Sequence, residues 1–255
     1  MKVIFIGAGN LATNLAKKMY EKGFDIIQIY SRTEESARTL GETINASFTT
    51  LPEAVRTDGD LYIFSVKDAV LEEVMRAIPA NGGLWVHTAG SIPMSIFEPY
   101  SNRHGVFYPL QTFSKTRETD FSVIPFFVEA NREEDCELLL KSAAVLSQKV
   151  YRADSEQRKY LHLAAVFANN FSNHMYAIAA RLVEEHGLPF EALRPLIAET
   201  AAKINTLPPV DAQTGPAIRY DENVMEKQIN MLDDAQLRAI YREISRSIFE
   251  FSKNK

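Results

Sequence analysis

The sequence is poor in the residues that cross-link chains or form metal cages. Cys136 is the only cysteine among 255 residues, so an intrachain disulfide and a cysteine-based metal site are both excluded. No apolar run reaches the roughly 18 residues that a membrane span requires. The first apolar stretch runs directly into a glycine turn without a cleavage site, which is not the pattern of a signal peptide. These absences predict a cytoplasmic protein with no membrane and no metal as partner.

The sequence also has fewer basic than acidic residues. The chain has 28 Lys and Arg residues against 33 Asp and Glu residues, which gives a formal net charge of −5. A nucleic-acid-binding face needs basic side chains to neutralise phosphates, so nucleic acid is not expected as a partner. The apolar fraction of 46% is ordinary for a globular protein, and the length suffices for one large domain or two smaller ones.

The pattern of hydrophobic residues divides the chain near residue 153. Residues 1–152 alternate short β-rich runs with helical stretches, which predicts an α/β fold with a parallel, doubly wound sheet. After Ala153 the apolar residues recur at intervals of three and four, and they predict one long amphipathic helix over 154–186. Further helices are expected near 190–205, 222–231 and 233–252. The sequence therefore predicts a nucleotide-binding domain over 1–152 and an all-helical domain over 153–255.

A glycine-rich turn follows the first predicted strand. In the stretch "KVIFIGAGNLA", Gly7 permits a tight turn and Gly9 lets the backbone approach a pyrophosphate. The helix that begins next, with Asn10 as its expected cap, directs free N–H groups and a positive dipole end at the phosphates. The predicted pyrophosphate-binding residues are Gly7, Gly9, Asn10 and Leu11. A structural turn that binds nothing would use similar residues, and that alternative stays open.

The end of the second predicted strand indicates which dinucleotide is bound. NAD-binding sites usually carry an Asp or Glu there, which accepts a hydrogen bond from the ribose 2′-hydroxyl. This chain has Ser31 and Arg32 instead, and a guanidinium forms bidentate bonds with phosphate. The pattern favours NADP(H), with Ser31 and Arg32 at the 2′-phosphate. In the alternative interpretation, Arg32 is a solvated loop charge and Thr33 caps the next helix.

Two later strand ends carry further candidates, because ligands of doubly wound sheets bind beyond the carboxyl ends of the strands. The cofactor candidates here are Ser65, Val66, Lys67 and Ala89. Lys67 is either a phosphate or carboxylate contact or a plain surface residue at a helix start. In "HTAGS", His87 is a candidate proton donor and Ser91 supplies a hydroxyl. A strand-end histidine bonded to backbone is the alternative for His87.

The long predicted helix carries a row of polar residues beside its apolar stripe. His162, Asn169 and Asn173 share a narrow arc of the helix, and Asn170 lies about 80° round from His162. These side chains either mark a cleft or satisfy polar contacts between packed helices. A two-histidine metal site is not expected, because no acidic residue has suitable helical spacing to complete it.

The combination of motifs resembles a known family. "FIGAGNLA", "YSRT", "SVKD", "HTAGS", a "YP-x-Q-T-F" segment, "LHLAAVFANNFSNH" and "QTGPAIRYD" are similar to NADP oxidoreductases that pair a Rossmann-like domain with a DUF2520 helical domain. The resemblance covers essentially the whole chain. The family is distantly related to pyrroline-5-carboxylate reductase and 6-phosphogluconate dehydrogenase, so the resemblance implies a 6-phosphogluconate-dehydrogenase-like, all-α second domain.

The resemblance also implies a homodimer through the helical domain, with a cleft between the domains. The candidate catalytic residues of that cleft are His87, Ser91, His162 and Asn170. The lysine helix of β-hydroxyacid dehydrogenases and the serine-rich signature of pyrroline-5-carboxylate reductases are missing, so neither activity carries over. The expected function is an NADP(H)-dependent oxidoreductase that acts on a small carbonyl or imine substrate. A non-catalytic NADP-binding sensor or scaffold, or a structural module with a degenerate glycine loop, are the alternatives.

Overall fold

The structure, a computed structural model, describes residues 1–253 and contains two compact units. The first unit ends at Ser172 and the second begins at Asn173. The sequence places the domain boundary near residue 153, where the last strand ends. The first unit continues beyond that point because the next helix packs on the sheet: Arg158 pairs with Glu129, and His162 contacts Tyr108.

Eight strands and ten α-helices are present in the described residues. The strands are β1 (Lys2–Ile6), β2 (Asp25–Tyr30), β3 (Ser47–Thr49), β4 (Leu61–Phe64), β5 (Leu84–His87), β6 (His104–Pro109), β7 (Phe126–Ala130) and β8 (Val150–Arg152). The helices are α1 (Asn10–Glu21), α2 (Glu34–Thr43), α3 (Asp68–Ala77), α4 (Glu133–Leu146), α5 (Ser155–Ala165), α6 (Ser172–Glu185), α7 (Arg194–Lys203), α8 (Pro209–Ala212), α9 (Glu222–Asn230) and α10 (Ala235–Lys253).

The strands form one sheet in the order β3-β2-β1-β4-β5-β6-β7-β8. The first six run parallel, which confirms the predicted Rossmann-like, doubly wound arrangement. The expectation of an entirely parallel sheet is wrong at one place, because β7 pairs antiparallel with β6. Residues 110–125 join these two strands through a loop and a short 3₁₀ turn, with no α-helix among them.

Alternate residues of the central strands pack into cores on opposite faces of the sheet. In β1, Val3 and Phe5 contribute to one core, while Ile4 and Ile6 contribute to the other, and all four side chains are fully buried. A strand covered on both faces reads as a continuous apolar run, as "KVIFI" does. This burial fixes the register of β1 and β4, whose carboxyl ends carry the glycine turn and Ser65.

The long predicted helix is interrupted. A π-helical segment (Val166–Phe171) lies between α5 and α6. Asp154 begins α5 with a capping box, in which its carboxylate accepts from the Gln157 backbone N–H and the Gln157 amide oxygen accepts from Asp154. The switch to i→i+5 hydrogen bonds leaves no mark in the spacing of apolar residues, so the sequence predicts a uniform helix there.

The second unit contains only helices and short turns among its described residues. Its helices match the predicted positions near 190–205, 222–231 and 233–252. An apolar cavity of about 350 Å³ lies within this unit, lined by residues of α6 and α10 such as Met175, Leu182 and Ile244. The Pro-rich stretch over 206–221 contains only the short α8 and a 3₁₀ turn.

The antiparallel pair β6–β7 requires glycine at position 105. A Cβ on Gly105 would lie 2.3 Å from the backbone oxygen of Glu129, so Gly105→Ala must displace one strand. We expect a loss of about 1–3 kcal/mol in the free energy of unfolding, measured by urea denaturation. Gly82→Ala is the matched control, because a Cβ there meets no atom within 4 Å. Equal stability of the two variants would contradict the observed strand pairing.

Candidate cofactor and substrate site

The turn after β1 is built around a glycine that no other residue can replace without strain. Gly7 has a φ of +119°, and a Cβ there would lie 2.3 Å from the carbonyl oxygen of Ser65. The loops after β1 and β4 therefore touch through their backbones. Gly9 differs, because a Cβ at this position would meet no atom within 4 Å. The fold needs Gly7, while the open space beside Gly9 leaves room for a ligand against the backbone.

The helix that follows offers its N-terminus without a protein cap. α1 begins at Asn10, with Gly9 in extended conformation before it, and no side chain accepts a hydrogen bond from its first turn. The sequence prediction that Asn10 caps this helix is wrong, because Asn10 lies within the first turn and its carbonyl accepts from the Asn14 amide at 2.8 Å. The first turn also lacks acidic residues. Free N–H groups and an uncompensated dipole favour an anion here.

A cavity of about 460 Å³ lies at this helix start. It is lined by residues from the ends of three strands, from α2 and α3 and from one loop: Gly7, Ala8, Gly9, Asn10, Tyr30, Ser31, Arg32, Thr33, Ser36, Ser65, Val66, Lys67, Val70, Glu73, Val74 and Lys115. Three of them are cationic and only Glu73 is acidic. Within residues 1–253, none of Arg32, Lys67 and Lys115 forms an ion pair with a carboxylate. The glycine turn, the free helix start and the cations together fit a phosphate-bearing dinucleotide.

Most of the predicted cofactor residues meet in this cavity. Leu11 lies in the first turn of α1 with its side chain against the core, so only its backbone faces the helix start. Ala89 does not line the cavity. Its backbone N–H donates instead to Nδ1 of His87 at 3.2 Å.

A second cavity of about 500 Å³ lies in the same unit, between the end of β6 and the α5–π segment. Its lining includes Tyr108, Gln111, Thr112, His162 and Asn170. The Tyr108 hydroxyl lies 3.0 Å from Nδ1 of His162, which is hydrogen-bonding distance. Burial raises the pKa of Tyr108 to about 12, so the phenol stays protonated at neutral pH. The pair places an imidazole and a neutral phenol side by side at a cavity wall.

The His162 ring is held against a glycine. A Cβ on Gly90 would lie 2.5 Å from Nδ1 of His162, so the ring rests directly on the backbone of "HTAGS". Any larger residue at position 90 would push the imidazole away from Tyr108. The space that the missing side chain of Gly90 leaves is taken by His162.

The two neighbouring asparagines occupy the π-helical segment. Asn169 and Asn170 are both exposed and both line the second cavity with His162. An i→i+5 turn advances fewer degrees per residue than an α-turn, so the two carboxamides can face one cavity. Asn173, which shares an arc with His162 in the sequence analysis, belongs to the second unit. π-turns of this kind are frequently found at functional sites.

A buried ion pair supports this wall of the cavity. Arg158 is 1% exposed, and its Nη1 donates to Oε2 of Glu129 at 2.6 Å. Its Nη2 donates to the carbonyl of Ile92, and Ser155 donates to the same Glu129 oxygen at 2.8 Å. The Met94 backbone N–H in turn donates to Ser155. One network therefore joins β7, α5 and the loop that carries Gly90.

His87 and Ser91 do not line this second cavity. His87 is 1% exposed, its ring stacks on Phe97 with centroids 5.6 Å apart, and burial and the charge of Arg158 lower its pKa to about 3. A neutral, enclosed imidazole is a poor proton donor at physiological pH. Ser91 is exposed and donates to Asp68 at 3.0 Å, which ties its loop to the start of α3. The geometry favours structural roles for both.

Sequence reasoning missed three residues of the two cavities and their support. Tyr108 lies in the "YP-x-Q-T-F" segment of the family resemblance but was given no role, and Lys115 and Arg158 were not singled out. A tyrosine and proline at a strand end and a basic residue on an otherwise apolar helix face are signals that were present. Neither signal indicates a partner 54 or 29 residues away in the chain.

Residues 1–253 show neither a metal-binding cluster nor a membrane-spanning helix. In that range, no group of three or more His, Cys, Asp or Glu side chains is arranged to hold a metal ion. No helix in the same range combines the length and the apolar character that a bilayer crossing requires.

The two glycines of the first turn separate folding from binding. Gly7→Ala must move the Ser65 backbone, so we expect a loss of about 2 kcal/mol or more in the free energy of unfolding. Gly9→Ala should raise the free energy of unfolding by about 0.4–1 kcal/mol, because its methyl group enters open space and alanine has less conformational freedom in the unfolded chain. It should also weaken NADPH binding, measured by NADPH fluorescence, since the methyl group occupies the phosphate approach. Unchanged NADPH affinity in Gly9→Ala would contradict this placement of the cofactor.

The buried imidazole of His87 makes stability depend on pH. Its pKa is about 3 in the folded protein against an ordinary value of 6.5, so between these values the unfolded chain binds one more proton. Stability should therefore fall as the pH drops from 6.5 towards 3, with a slope of up to about 1.4 kcal/mol per pH unit. His87→Asn removes this proton and should flatten the dependence, measured by urea unfolding at several pH values. An unchanged slope would show that His87 is charged in the folded protein.

Comparisons with known proteins agree with this geometry. The family model described as "NADP oxidoreductase coenzyme F420-dependent" matches residues 2–88, and the DUF2520 domain model, of unknown function, matches residues 124–248. No curated protein sequence is significantly similar to the chain. A solved structure of a "putative NADP oxidoreductase" from Bacteroides fragilis is 54% identical, with 98% of each chain covered and a TM-score of 0.91.

More distant structures share the fold. A 1-pyrroline-5-carboxylate reductase from Streptococcus pyogenes is 12% identical, with 100% of this chain and 99% of that chain covered and a TM-score of 0.67. A reductive aminase from Aspergillus terreus, in complex with NADPH and ethyl-5-oxohexanoate, is 19% identical, with coverages of 99% and 92% and a TM-score of 0.68. The likeness to the Bacteroides protein extends over both units. The chain therefore belongs to the family of NADP oxidoreductases in which a Rossmann-like domain is joined to a DUF2520 helical domain.

Proposed function

We propose that this protein is an NADP(H)-dependent reductase of small imines or carbonyl compounds. The observation that carries the proposal is the presence, in one compact unit, of a phosphate-binding cavity and a second cavity with a Tyr108–His162 pair. NADPH, when bound, supplies hydride chemistry. The related structures include a reductive aminase with NADPH and a pyrroline reductase, which supports a C=N or C=O bond as the reacting group.

The residues of the first cavity would hold the cofactor. The backbone of Gly7, Gly9 and the first turn of α1 would bind the pyrophosphate, and Ser31 and Arg32 would bind the 2′-phosphate. The backbone of Ser65 and Val66 would line the ribose. Lys67 is exposed at the start of α3 and adds positive charge to the cavity rim.

His162 and Tyr108 would deliver the proton that balances hydride addition. Hydride addition to the carbon of a C=N or C=O bond leaves a basic nitrogen or oxygen that must take up a proton. His162 lines the substrate cavity; in its protonated form Nδ1–H would donate to the Tyr108 hydroxyl oxygen, and Nε2–H would be the transferable proton, leaving a neutral imidazole. Asn170, with Asn169 beside it, would orient the substrate through its carboxamide. His87 and Ser91 would act only by holding the "HTAGS" loop.

We also infer that the protein is a cytoplasmic homodimer. An exposed apolar stripe runs along α5 and the π segment through Tyr160, Leu163, Phe167 and Phe171, each about half exposed or more. Such stripes are rare on monomers and mark protein interfaces. Cys136 is a free, buried thiol, which suits a reducing compartment. Sedimentation equilibrium of the purified chain tests the dimer.

The test of the reductase proposal uses a panel of cyclic imines, ketones and ketone–amine pairs, with NADPH consumption as the readout. We expect turnover with the parent protein and a loss of about 10²-fold or more in kcat for His162→Asn. Tyr108→Phe should lower kcat less and shift the alkaline limb of the pH–rate profile, where the proton donor is lost, because Tyr108 only supports the imidazole. Tyr160→Phe, on the exposed stripe, is the matched control and should keep full activity. NADPH binding without turnover on any panel member would favour the sensor alternative instead.

A further inference from the structure

A short strap after β6 belongs to both cavities. The strap comprises residues 110–116, directly after β6. Leu110, Gln111 and Thr112 line the second cavity, whereas Lys115, only three residues further on, lines the cofactor cavity. Since β6 and β1 are separated by β4 and β5 in the sheet, the strap must cross the carboxyl ends of these strands to reach the glycine turn.

The strap is tied to the helix that begins at the glycine turn. The Asn14 side-chain amide donates to the carbonyl of Ser114 at 3.0 Å and to the carbonyl of Asn10 at 2.8 Å. One carboxamide thus links the strap to the first turn of α1. The Thr116 backbone N–H donates to the Ser114 hydroxyl, which closes a turn around Lys115. On the other side of this turn, Phe113 packs against Phe121 with ring centroids 5.7 Å apart.

These anchors place an unpaired cation beside the uncapped helix start. Lys115 is exposed and forms no ion pair with any carboxylate of residues 1–253. Arg32, the cation assigned to the 2′-phosphate, follows β2 and has no comparable link to α1. A lysine tied to the first turn of α1 therefore faces the groups that this turn would bind, and an ammonium is a common partner of phosphate.

We propose that Lys115 is a further cofactor-binding residue that contacts the pyrophosphate of the dinucleotide and is positioned by Asn14. The inference rests on the proposed function, because it requires NADP(H) in the first cavity. It adds a consequence for the substrate: the same strap carries Gln111 and Thr112, so cofactor phosphates held by Lys115 also fix one wall of the second cavity. Lys115 is a binding residue, and Asn14 acts only through the strap.

The experiment measures dissociation constants of NADPH and NADH for the full-length protein, by fluorescence and thermal shift. Both nucleotides contain the pyrophosphate, while only NADPH contains the 2′-phosphate. Lys115→Met should raise both constants by the same factor, on the order of tenfold. Arg32→Ala should raise the constant for NADPH alone. Lys141→Met, an exposed lysine of α4, is the matched control and should leave both constants unchanged.

The positioning role of Asn14 has its own variant. Asn14→Leu releases the strap and should raise both constants less than Lys115→Met does. Combined with Lys115→Met it should add nothing, because its effect passes through Lys115. Additive losses in the double variant would overturn the positioning role.

Three results would contradict the assignment of Lys115. Unchanged constants in Lys115→Met, with a parent protein that binds NADPH, would overturn the contact and leave the proposed function intact. An effect confined to NADPH would place Lys115 at the 2′-phosphate and overturn the pyrophosphate assignment. A parent protein that binds neither nucleotide would overturn the proposed function itself, and this inference with it.

Discussion

The buried pair of Arg158 and Glu129 is the interaction on which the substrate side of the molecule depends. An arginine with 1% of its surface exposed is costly to bury, and the cost is offset only by a charged partner and further hydrogen bonds. Glu129, Ser155 and the Ile92 carbonyl supply them. Because these groups come from a strand, a helix and a loop, the pair requires all three to meet. Removal of Glu129 would leave the buried charge of Arg158 unpaired, which typically costs about 3–5 kcal/mol.

The same pair connects the odd strand of the sheet to the site. Glu129 lies on β7, the strand that runs antiparallel to β6, and Tyr108 lies on β6. The reversal brings Glu129 opposite Val106, two residues before Tyr108, so the strand that supplies the buried carboxylate lies beside the one that supplies the phenol. Burial is the larger influence on the pKa of both Tyr108 and His87. The charge of Arg158 partly offsets the rise that burial causes in the pKa of Tyr108, and it adds to the fall that burial causes in the pKa of His87. One network thus connects β7, α5 and the loop that carries Gly90 with the electrostatic surroundings of both rings.

The local part of this arrangement was predictable from the sequence. Apolar runs bounded by turn residues locate β1, β2, β4 and β5, and the spacing of Gly7, Gly9 and Ala12 after β1 identifies the phosphate turn. Arg32 at the end of β2 could be chosen as a cofactor residue because its place in this fold is known. These predictions depend only on residues that are close together in the chain and on the rule that the carboxyl ends of parallel strands lie at the same edge of the sheet.

The rest depends on contacts between distant residues, which periodicity does not report. His87 and His162 look equally available in the sequence. In the structure His87 is buried against Phe97, whereas His162 lies against Gly90 and lines the second cavity. The π segment keeps the apolar spacing of an α-helix, so its effect on Asn169 and Asn170 is invisible before folding. Lys115 lies in a polar loop, and the residue before it is held by a hydrogen bond from the Asn14 carboxamide of α1, which the sequence does not reveal.

Glycine at position 9 also affects the conformational entropy of the unfolded chain. Its φ of −75° is one that any residue adopts, and nothing in the protein occupies the space of a side chain. Glycine at such a position gives the unfolded state extra conformational entropy, which lowers stability by about 0.4–1 kcal/mol relative to alanine. Glycine at position 9 therefore lowers the free energy of unfolding, although neither the backbone conformation nor the packing of the protein requires it. Such a glycine is expected where the backbone must leave room for a bound ligand.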